Sequence, residues 1–301
     1  MKHLLKLIDL EPDEINEVLD LAADLKVKQK AGISHKLLEG KTLGLIFQKS
    51  STRTRVSFEV GMYQLGGHAL FLNTNDLQIG RGESIEDTAR VLSRYLDGIM
   101  IRTYNQSDVE ILAKAGSIPV INGLTDFAHP CQILADLLTI KEYKGNLKGL
   151  KLAFVGDGNN VANSLIVGGL EVGMQVSIAC PCGYTPDKAV LDFAAHYPGG
   201  FVMTDDLKVA LKDADVVYTD VWASMGQEDE KHKRAAAFAS YQVNEALMAT
   251  AHPGAIVLHC LPAHKEEEIS AAVFEAHADE IFDQAENRLH VQKAVLVKLM
   301  A

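Results

Sequence analysis

Four groups of residues in this 301-residue chain have the types and spacing to do chemistry. The first is Lys49-Ser50-Ser51-Thr52-Arg53-Thr54-Arg55. Set between a strand and the helix after it, it would add the hydroxyls of Ser51, Thr52 and Thr54 and two guanidiniums to the unpaired N–H groups and partial positive charge of a helix start. Guanidinium forks match phosphate oxygens, so so dense a donor cluster in an acidic chain points to a phosphate site, although the same residues on a solvated loop would only cap a helix. The second is His129-Pro130-Cys131-Gln132 ahead of the apolar pattern Ile133, Leu134, Leu137, Leu138. Pro130 suits a first helical position, which puts His129 at the helix mouth and Gln132 one turn in. A lone histidine is as readily structural; the company of the first group is what turns it toward function.

The third group, Gly156-Asp157-Gly158-Asn159-Asn160-Val161, has the outline of a dinucleotide-binding turn. It lacks the third glycine, and Ala179 and Cys180 stand where a ribose-binding carboxylate belongs. The turn is expected to offer the amides of Asn159 and Asn160 to a small polar ligand instead. The fourth group is a pair of strand ends, Tyr218 through Asp220, Trp222, Ser224, Met225 and Gly226, and His259-Cys260-Leu261-Pro262. Residues 227–234 are highly charged and read as a closing lid. From its position alone, Cys260 is either a reactive thiol or a buried apolar one. Cys180 and Cys182 have no second pair to complete a zinc site.

The elements that must carry these groups alternate. A helix is expected from Pro12, with Ile15, Val18, Leu19, Ala22 and Leu25 at helical spacing. Strands are expected at 42–47, 98–102, 119–122, 151–155, 176–179, 215–218 and 255–258, and further helices at 56–65, 109–114, 162–170, 186–195 and 207–212. This alternation predicts an α/β chain of two domains, each a parallel sheet with helices on both faces, with 145–149 as the boundary. In such sheets ligands collect where strands end and helices begin, which is where all four groups fall.

Composition limits the functional classes. Forty acidic against 29 basic residues, a net charge of −11, argue against a broad nucleic-acid face. No apolar run is long enough to span a membrane, the first nine residues form no signal-peptide core, and four scattered cysteines form no disulfide framework. A cytoplasmic protein with no membrane or nucleic-acid partner is expected.

Taken together, the four groups resemble the aspartate/ornithine carbamoyltransferase family, along essentially the whole chain. Ser51-Thr52-Arg53-Thr54-Arg55 and His129-Pro130-Cys131-Gln132 match signatures shared across the family, whereas Asp220 through Ser224-Met225-Gly226 and His259-Cys260-Leu261-Pro262 match its ornithine-type branch. The resemblance implies a carbamoyl-phosphate domain over 1–145, an ornithine domain over 146–285, and a C-terminal helix over 286–301 packing back toward the first domain, with interdomain helices bridging the two. It implies that Ser51, Thr52, Arg53 and Thr54 hold the phosphate end of carbamoyl phosphate, and that Arg102, His129 and Gln132 hold its carbamoyl group. Gln78 matches a residue that reaches a neighbouring subunit's site, and Arg288 returns from the last helix to the reacting group. Asn160, Asp220, Ser224 and Met225 would position ornithine. Cys260 and Leu261 would stand beside its side-chain amine and complete the carbamoyl-phosphate set, with Arg102, His129, Asp220 and Cys260 as the catalytic groups. Relatives carry a lysine or another polar residue near Gly82; whether Arg81 replaces that contact is left open.

The resemblance further implies a homotrimer with sites at subunit interfaces, no cofactor and no metal, and direct transfer of the carbamoyl group to the amine of ornithine, giving citrulline and phosphate. Putrescine, an N-acylated ornithine and aspartate are the competing acceptors. A nicotinamide-dependent oxidoreductase would rest on the Gly156 turn alone, and a non-catalytic anion-binding protein would have no physical reason to keep Arg53, His129, Asp220 and Cys260 together.

Overall fold

The structure, a computed structural model, describes residues 1–78, 82–223 and 230–301. The chain divides into two compact units: Met1–Leu138 with Asn287–Ala301, and Thr139–Glu286.

Unit 1 contains a four-stranded parallel sheet of β1 (Thr42–Phe47), β2 (His68–Asn73), β3 (Gly98–Arg102) and β4 (Val120–Leu124), in the order β2-β1-β3-β4. Its helices are α1 (Pro12–Lys30), α2 (Thr52–Gln64), α3 (Ile85–Leu92), α4 (Gln106–Ala115) and the first part of α5 (Pro130–Lys144). The five-stranded parallel sheet of unit 2 joins β5 (Lys151–Val155), β6 (Gln175–Ala179), β7 (Phe201–Thr204), β8 (Val216–Thr219) and β9 (Ile256–His259) in the order β7-β6-β5-β8-β9. Its helices are α6 (Asn160–Glu171), α7 (Lys188–Ala194), α8 (Leu207–Leu211), α9 (Lys231–Phe238), α10 (Glu245–Met248) and α11 (Ala271–Ala276); the last helix, α12 (Ala278–Met300), begins in unit 2 and ends in unit 1. Among the described residues no helix is long and apolar enough to cross a membrane.

Two parallel sheets with helices are thus present, as the alternation predicts. Strands β1, β3 and β4 are buried almost throughout, which is why they read as continuous apolar runs. The edge strands β2 and β7 do not follow from the sequence pattern. Most of their residues are partly or fully exposed, and pairing with a neighbour defines them. Of the helices that begin earlier than their apolar periodicity indicates, two carry site residues. Helix α2 starts at Thr52 rather than 56, because Ser51 caps it. Helix α6 starts at Asn160 rather than 162, because the Asn159 side chain accepts the N–H groups of Val161 and Ala162. In both cases the first turn is polar, so hydrophobic spacing cannot reveal it.

Strand order decides where ligands can enter. In unit 1 the order reverses at β1 and β3, whose C-terminal ends lead to the Ser51–Arg55 turn and carry Arg102; in unit 2 it reverses at β5 and β8, which lead to the Gly156 turn and Asp220. A parallel sheet opens a crevice at such a reversal, because the helices on the two strands depart to opposite faces.

One buried cation in unit 1 takes no part in these crevices. Lys293 of α12 is fully buried, and its Nζ donates to Gln64 Oε1 (2.9 Å) and His35 Nε2 (3.1 Å). His35 Nδ1 lies 2.8 Å from the Ile33 carbonyl, so Nδ1 carries the proton and Nε2 accepts. Burial lowers the Lys293 pKa to about 8. The unfolded chain, with an ordinary lysine, binds the proton more tightly, so this site costs stability below pH 8 and the cost is relieved as pH rises toward 10. Relative to Lys293→Met, the wild-type chain is expected to gain about 1 kcal/mol between pH 7 and pH 9 in urea unfolding. A difference that does not change with pH would show that Lys293 keeps an ordinary pKa.

Candidate active site

In unit 1 the candidates gather where β1 and β3 end. The Ser51 hydroxyl accepts the Thr54 N–H at 3.2 Å, which begins α2 and turns Thr54 inward; Thr52 and Arg53 on the same turn stay exposed. Thr54 Oγ1 is the meeting point: it receives Ser51 Oγ at 3.1 Å, Arg102 Nη1 at 3.5 Å and Arg288 Nη2 at 3.4 Å. Two buried guanidiniums from β3 and α12 thus converge on one hydroxyl of α2. Arg288 also donates through Nη1 to Gln132 Oε1 at 2.6 Å, while Gln132 Nε2 donates to Asp136 Oδ1 at 2.8 Å. Gln132 therefore spends its oxygen on aligning Arg288.

His129 is buried among these cations. Burial, reinforced by the positive charges of Arg288, Arg102, Lys49 and Arg53, holds its pKa well below 6.5. The ring is neutral at physiological pH and can donate one hydrogen bond without adding another positive charge. Lys49 opens the first motif, and the sequence alone gives it no role. It is buried, pairs with Asp126 at 3.1 Å and lies 5.1 Å from the centroid of the Tyr104 ring. A lysine two residues beyond a buried strand is the available signal for it. Chemically, this corner offers positive field, a helix start and a neutral donor to an anion that also carries a carbonyl.

Gln78 is exposed in the loop after β2, and among the described residues it makes no hydrogen bond to this cluster. Arg81 lies outside the described residues; Gly82 holds φ 106°.

In unit 2, Asp220 follows β8 and each oxygen of its carboxylate accepts a hydrogen bond. Cys260 Sγ donates to Oδ1 at 3.0 Å, and Asn159 Nδ2 donates to Oδ2 at 3.0 Å. Asn159 thus both caps α6 and orients Asp220, a role the sequence reading did not assign to its side chain. The Asn159 backbone N–H, expected to face a ligand, instead donates to the Asp157 carbonyl at 2.7 Å. The turn is too tight to leave that group free. Gly158 is required there, since a Cβ would lie 2.2 Å from Pro186 N. Asn160 is buried on the first turn of α6. Ser224, Met225 and the 227–229 part of the charged stretch lie outside the described residues, and from Lys231 the chain forms α9.

Cys260 is set by a rigid frame. Leu261 N–H donates to His259 Nδ1 at 2.9 Å, so the ring proton sits on Nε2, which faces Glu268 Oε1 at 2.9 Å. Leu261, in the left-handed region at φ 59°, is held there by that bond. Ligating atoms of Asp220, His259 and Cys260 all lie within 4.8 Å of one another, but with both ring nitrogens occupied His259 has no lone pair to give a metal.

The comparisons with known proteins agree along the whole chain. A family model described as "Aspartate/ornithine carbamoyltransferase, carbamoyl-P binding domain" matches residues 2–142, and one described as "Aspartate/ornithine carbamoyltransferase, Asp/Orn binding domain" matches 148–299. The chain belongs to the aspartate/ornithine carbamoyltransferase family. It is 57% identical to an ornithine carbamoyltransferase of Oceanobacillus iheyensis, across 100% of this chain and 94% of that one. Among solved structures it is similar to the ornithine carbamoyltransferase of Pyrococcus furiosus (55% identity, TM-score 0.95, 99% of this chain and 97% of the other). It is also similar to that of Thermus thermophilus (42% identity, TM-score 0.90, 100% and 99%).

Because burial and four cations act on His129 in the same direction, its imidazole is expected to stay neutral well below the pH at which an ordinary histidine protonates. Histidine-labelled NMR spectra, with His129→Gln to assign the signal, would show it; a ring that protonates near pH 6.5 would contradict the electrostatic reading.

Proposed function

We propose that the chain transfers the carbamoyl group of carbamoyl phosphate to the side-chain amine of L-ornithine, giving L-citrulline and phosphate without a covalent enzyme intermediate. The observation that carries this reading is the convergence of Arg102 and Arg288 on Thr54 at the start of α2, beside a neutral His129. The names of the relatives support ornithine as the acceptor, as does the Asp220–Cys260 pair in the ornithine-type motifs. The domain assignment goes with it: residues 1–145 bind carbamoyl phosphate, 146–285 bind ornithine, and 286–301 return to the first part.

Ser51, Thr52, Arg53 and Thr54 hold the phosphate, with the N–H groups of the first turn of α2. Arg102, His129 and Arg288 receive the charge that develops on the carbonyl oxygen and the leaving phosphate; preorganised donors of this kind act most strongly where water is excluded. Gln132 keeps Arg288 aligned, and Cys260 and Leu261 lie toward the reacting centre. Gln78 serves a neighbouring subunit. Asn160, Asp220, Ser224 and Met225 hold the amino-acid end of ornithine.

The nucleophile must be the neutral amine. An ordinary alkylammonium has a pKa of about 10.4, so roughly one molecule in a thousand is neutral near pH 7.4. That scarcity corresponds to about 4 kcal/mol. The site must select the neutral form or desolvate the ammonium until it loses its proton.

The chain works as a cytoplasmic homotrimer in arginine metabolism. Exposed Leu70 and Phe71 on the edge strand β2 and Val56 on α2 supply apolar surface suited to a subunit contact.

Three outcomes are expected. Carbamoyl phosphate with ornithine yields citrulline and phosphate in equal amounts, at a rate rising between pH 7 and pH 9, while putrescine, aspartate and N-acetylornithine give none. Arg53→Ala loses about 100-fold or more in kcat/KM and weakens carbamoyl-phosphate binding. Light scattering gives three times the 32.8 kDa chain mass. Turnover with a different amine only would overturn the acceptor, wild-type kinetics in Arg53→Ala would remove that residue from the site, and a monomer would remove the trimer.

A further inference from the structure

Gln292 belongs to none of the four motifs, yet it is fully buried beside one of the cations of unit 1. It stands one turn after Arg288 on α12, so the two side chains share a helix face. One orientation of its amide satisfies both neighbours. The oxygen then accepts Arg288 Nε at 3.2 Å and Nη2 at 3.0 Å, and the nitrogen donates to Ser57 Oγ. The reverse orientation would set amide N–H groups against guanidinium N–H groups. Ser57, on α2, donates its own proton to the Arg53 carbonyl at 2.7 Å, and its Oγ lies 3.2 Å from the Thr54 carbonyl. Gln292 therefore connects Arg288 to the same turn that carries Arg53 and Thr54.

The frame behind this contact is tight. A Cβ at Gly61 of α2 would lie 3.3 Å from Lys293 Cγ, so the two helices approach closely one turn further on, and Lys293 donates to Gln64 beyond that. Neutral oxygens thus hold different edges of one guanidinium: Gln132 takes Nη1, Thr54 takes Nη2, and Gln292 takes Nε and Nη2 together. A planar fork held at one edge can swing about it, whereas one held at two edges has its plane fixed. Gln132 and Gln292 are amides rather than carboxylates, and that choice matters. A carboxylate would pair with the guanidinium and cancel charge that an anionic ligand uses; an amide oxygen orients it and leaves the charge in place. The charge does reach its surroundings, since after burial Arg288 is the largest influence holding the His129 pKa down.

We propose that Gln292 is a positioning residue for Arg288: it fixes the plane of the guanidinium against the Thr54 turn without neutralising it, and so serves carbamoyl phosphate. This rests on the carbamoyl-phosphate reading of that corner given above. Gln292 does not meet the substrate. It acts through Arg288, and its effect belongs to carbamoyl phosphate rather than to the acceptor, whose ligands lie in unit 2.

The test is steady-state kinetics on the full-length chain with Gln292→Met, Gln292→Glu, Ser57→Ala, Arg288→Met and the Gln292→Met/Arg288→Met double variant, each checked for its unfolding midpoint. Gln292→Met is expected to lower kcat/KM for carbamoyl phosphate about tenfold, with the KM for ornithine within about twofold. Gln292→Glu keeps an acceptor for Arg288 but neutralises it, so it is expected to lose more, about 100-fold. That ranking separates positioning from packing, because Glu matches Gln in shape and Met does not. Ser57→Ala loosens the amide and should cost about threefold in the same parameter. The double variant should be no worse than Arg288→Met, because Gln292 acts only through that guanidinium. If Gln292→Met does not fold, Gln292→Glu and Ser57→Ala carry the comparison. An unchanged kcat/KM for carbamoyl phosphate in the folded variants, a Glu variant as active as wild type, equal loss for both substrates, or multiplicative effects in the double variant would overturn the proposal. A wild-type chain with no turnover of carbamoyl phosphate would instead overturn the function on which the proposal rests, and that control tells the two failures apart.

Discussion

The constraint on which unit 1 turns is that positive charges must be gathered at one buried corner of a chain whose net charge is −11. Arg102 and Arg288 repel each other, and Lys49 and Arg53 add to the same field around His129. The fold holds them by giving each guanidinium a fixed oxygen to meet: Thr54 Oγ1 for both, and Gln132 Oε1 for Arg288. Asp126 answers Lys49 from an exposed position. His129 meets the constraint differently, by staying uncharged. A protonated ring there would add repulsion and a desolvation cost, so the surroundings that attract an anion also select the neutral imidazole.

Unit 2 has the opposite problem and solves it internally. Two of its buried carboxylates, Asp157 and Asp220, are matched by specific donors: Arg234 for the first, the Cys260 thiol and Asn159 amide for the second. Burial outweighs the attraction of Arg234 and leaves the Asp157 pKa above its ordinary value. An ammonium-bearing ligand suits such a corner, whereas a phosphate suits the corner in unit 1.

Both corners are generated by one topological rule. Each sheet is parallel, each reverses its strand order once between neighbouring inner strands, and each places its chemistry on the residues that leave those strands. The helix start that follows is polar in both cases, capped by Ser51 in one and Asn159 in the other. The caps do two jobs, since the residue that begins the helix also aims a side chain of the site: Ser51 turns Thr54 inward, and Asn159 reaches Asp220.

The inner strands were legible in the chain itself, because strands buried on both faces must be apolar at every position and so stand out as runs. The motifs were legible because a site that binds an anion needs donors of particular types close together in sequence at a strand exit. The edge strands β2 and β7 were not, since only pairing with a neighbour defines them. Nor were the true starts of α2 and α6, where capping replaces hydrophobic period. What tertiary structure alone decided is which residues distant in sequence meet: Arg102 and Arg288 on Thr54, Arg234 between Asp157 and Trp222, and Cys260 on Asp220. Most of these contacts close a long loop of chain. Sequence spacing carries no signal for such contacts, because their geometry is set by packing of the intervening helices and strands rather than by any local preference.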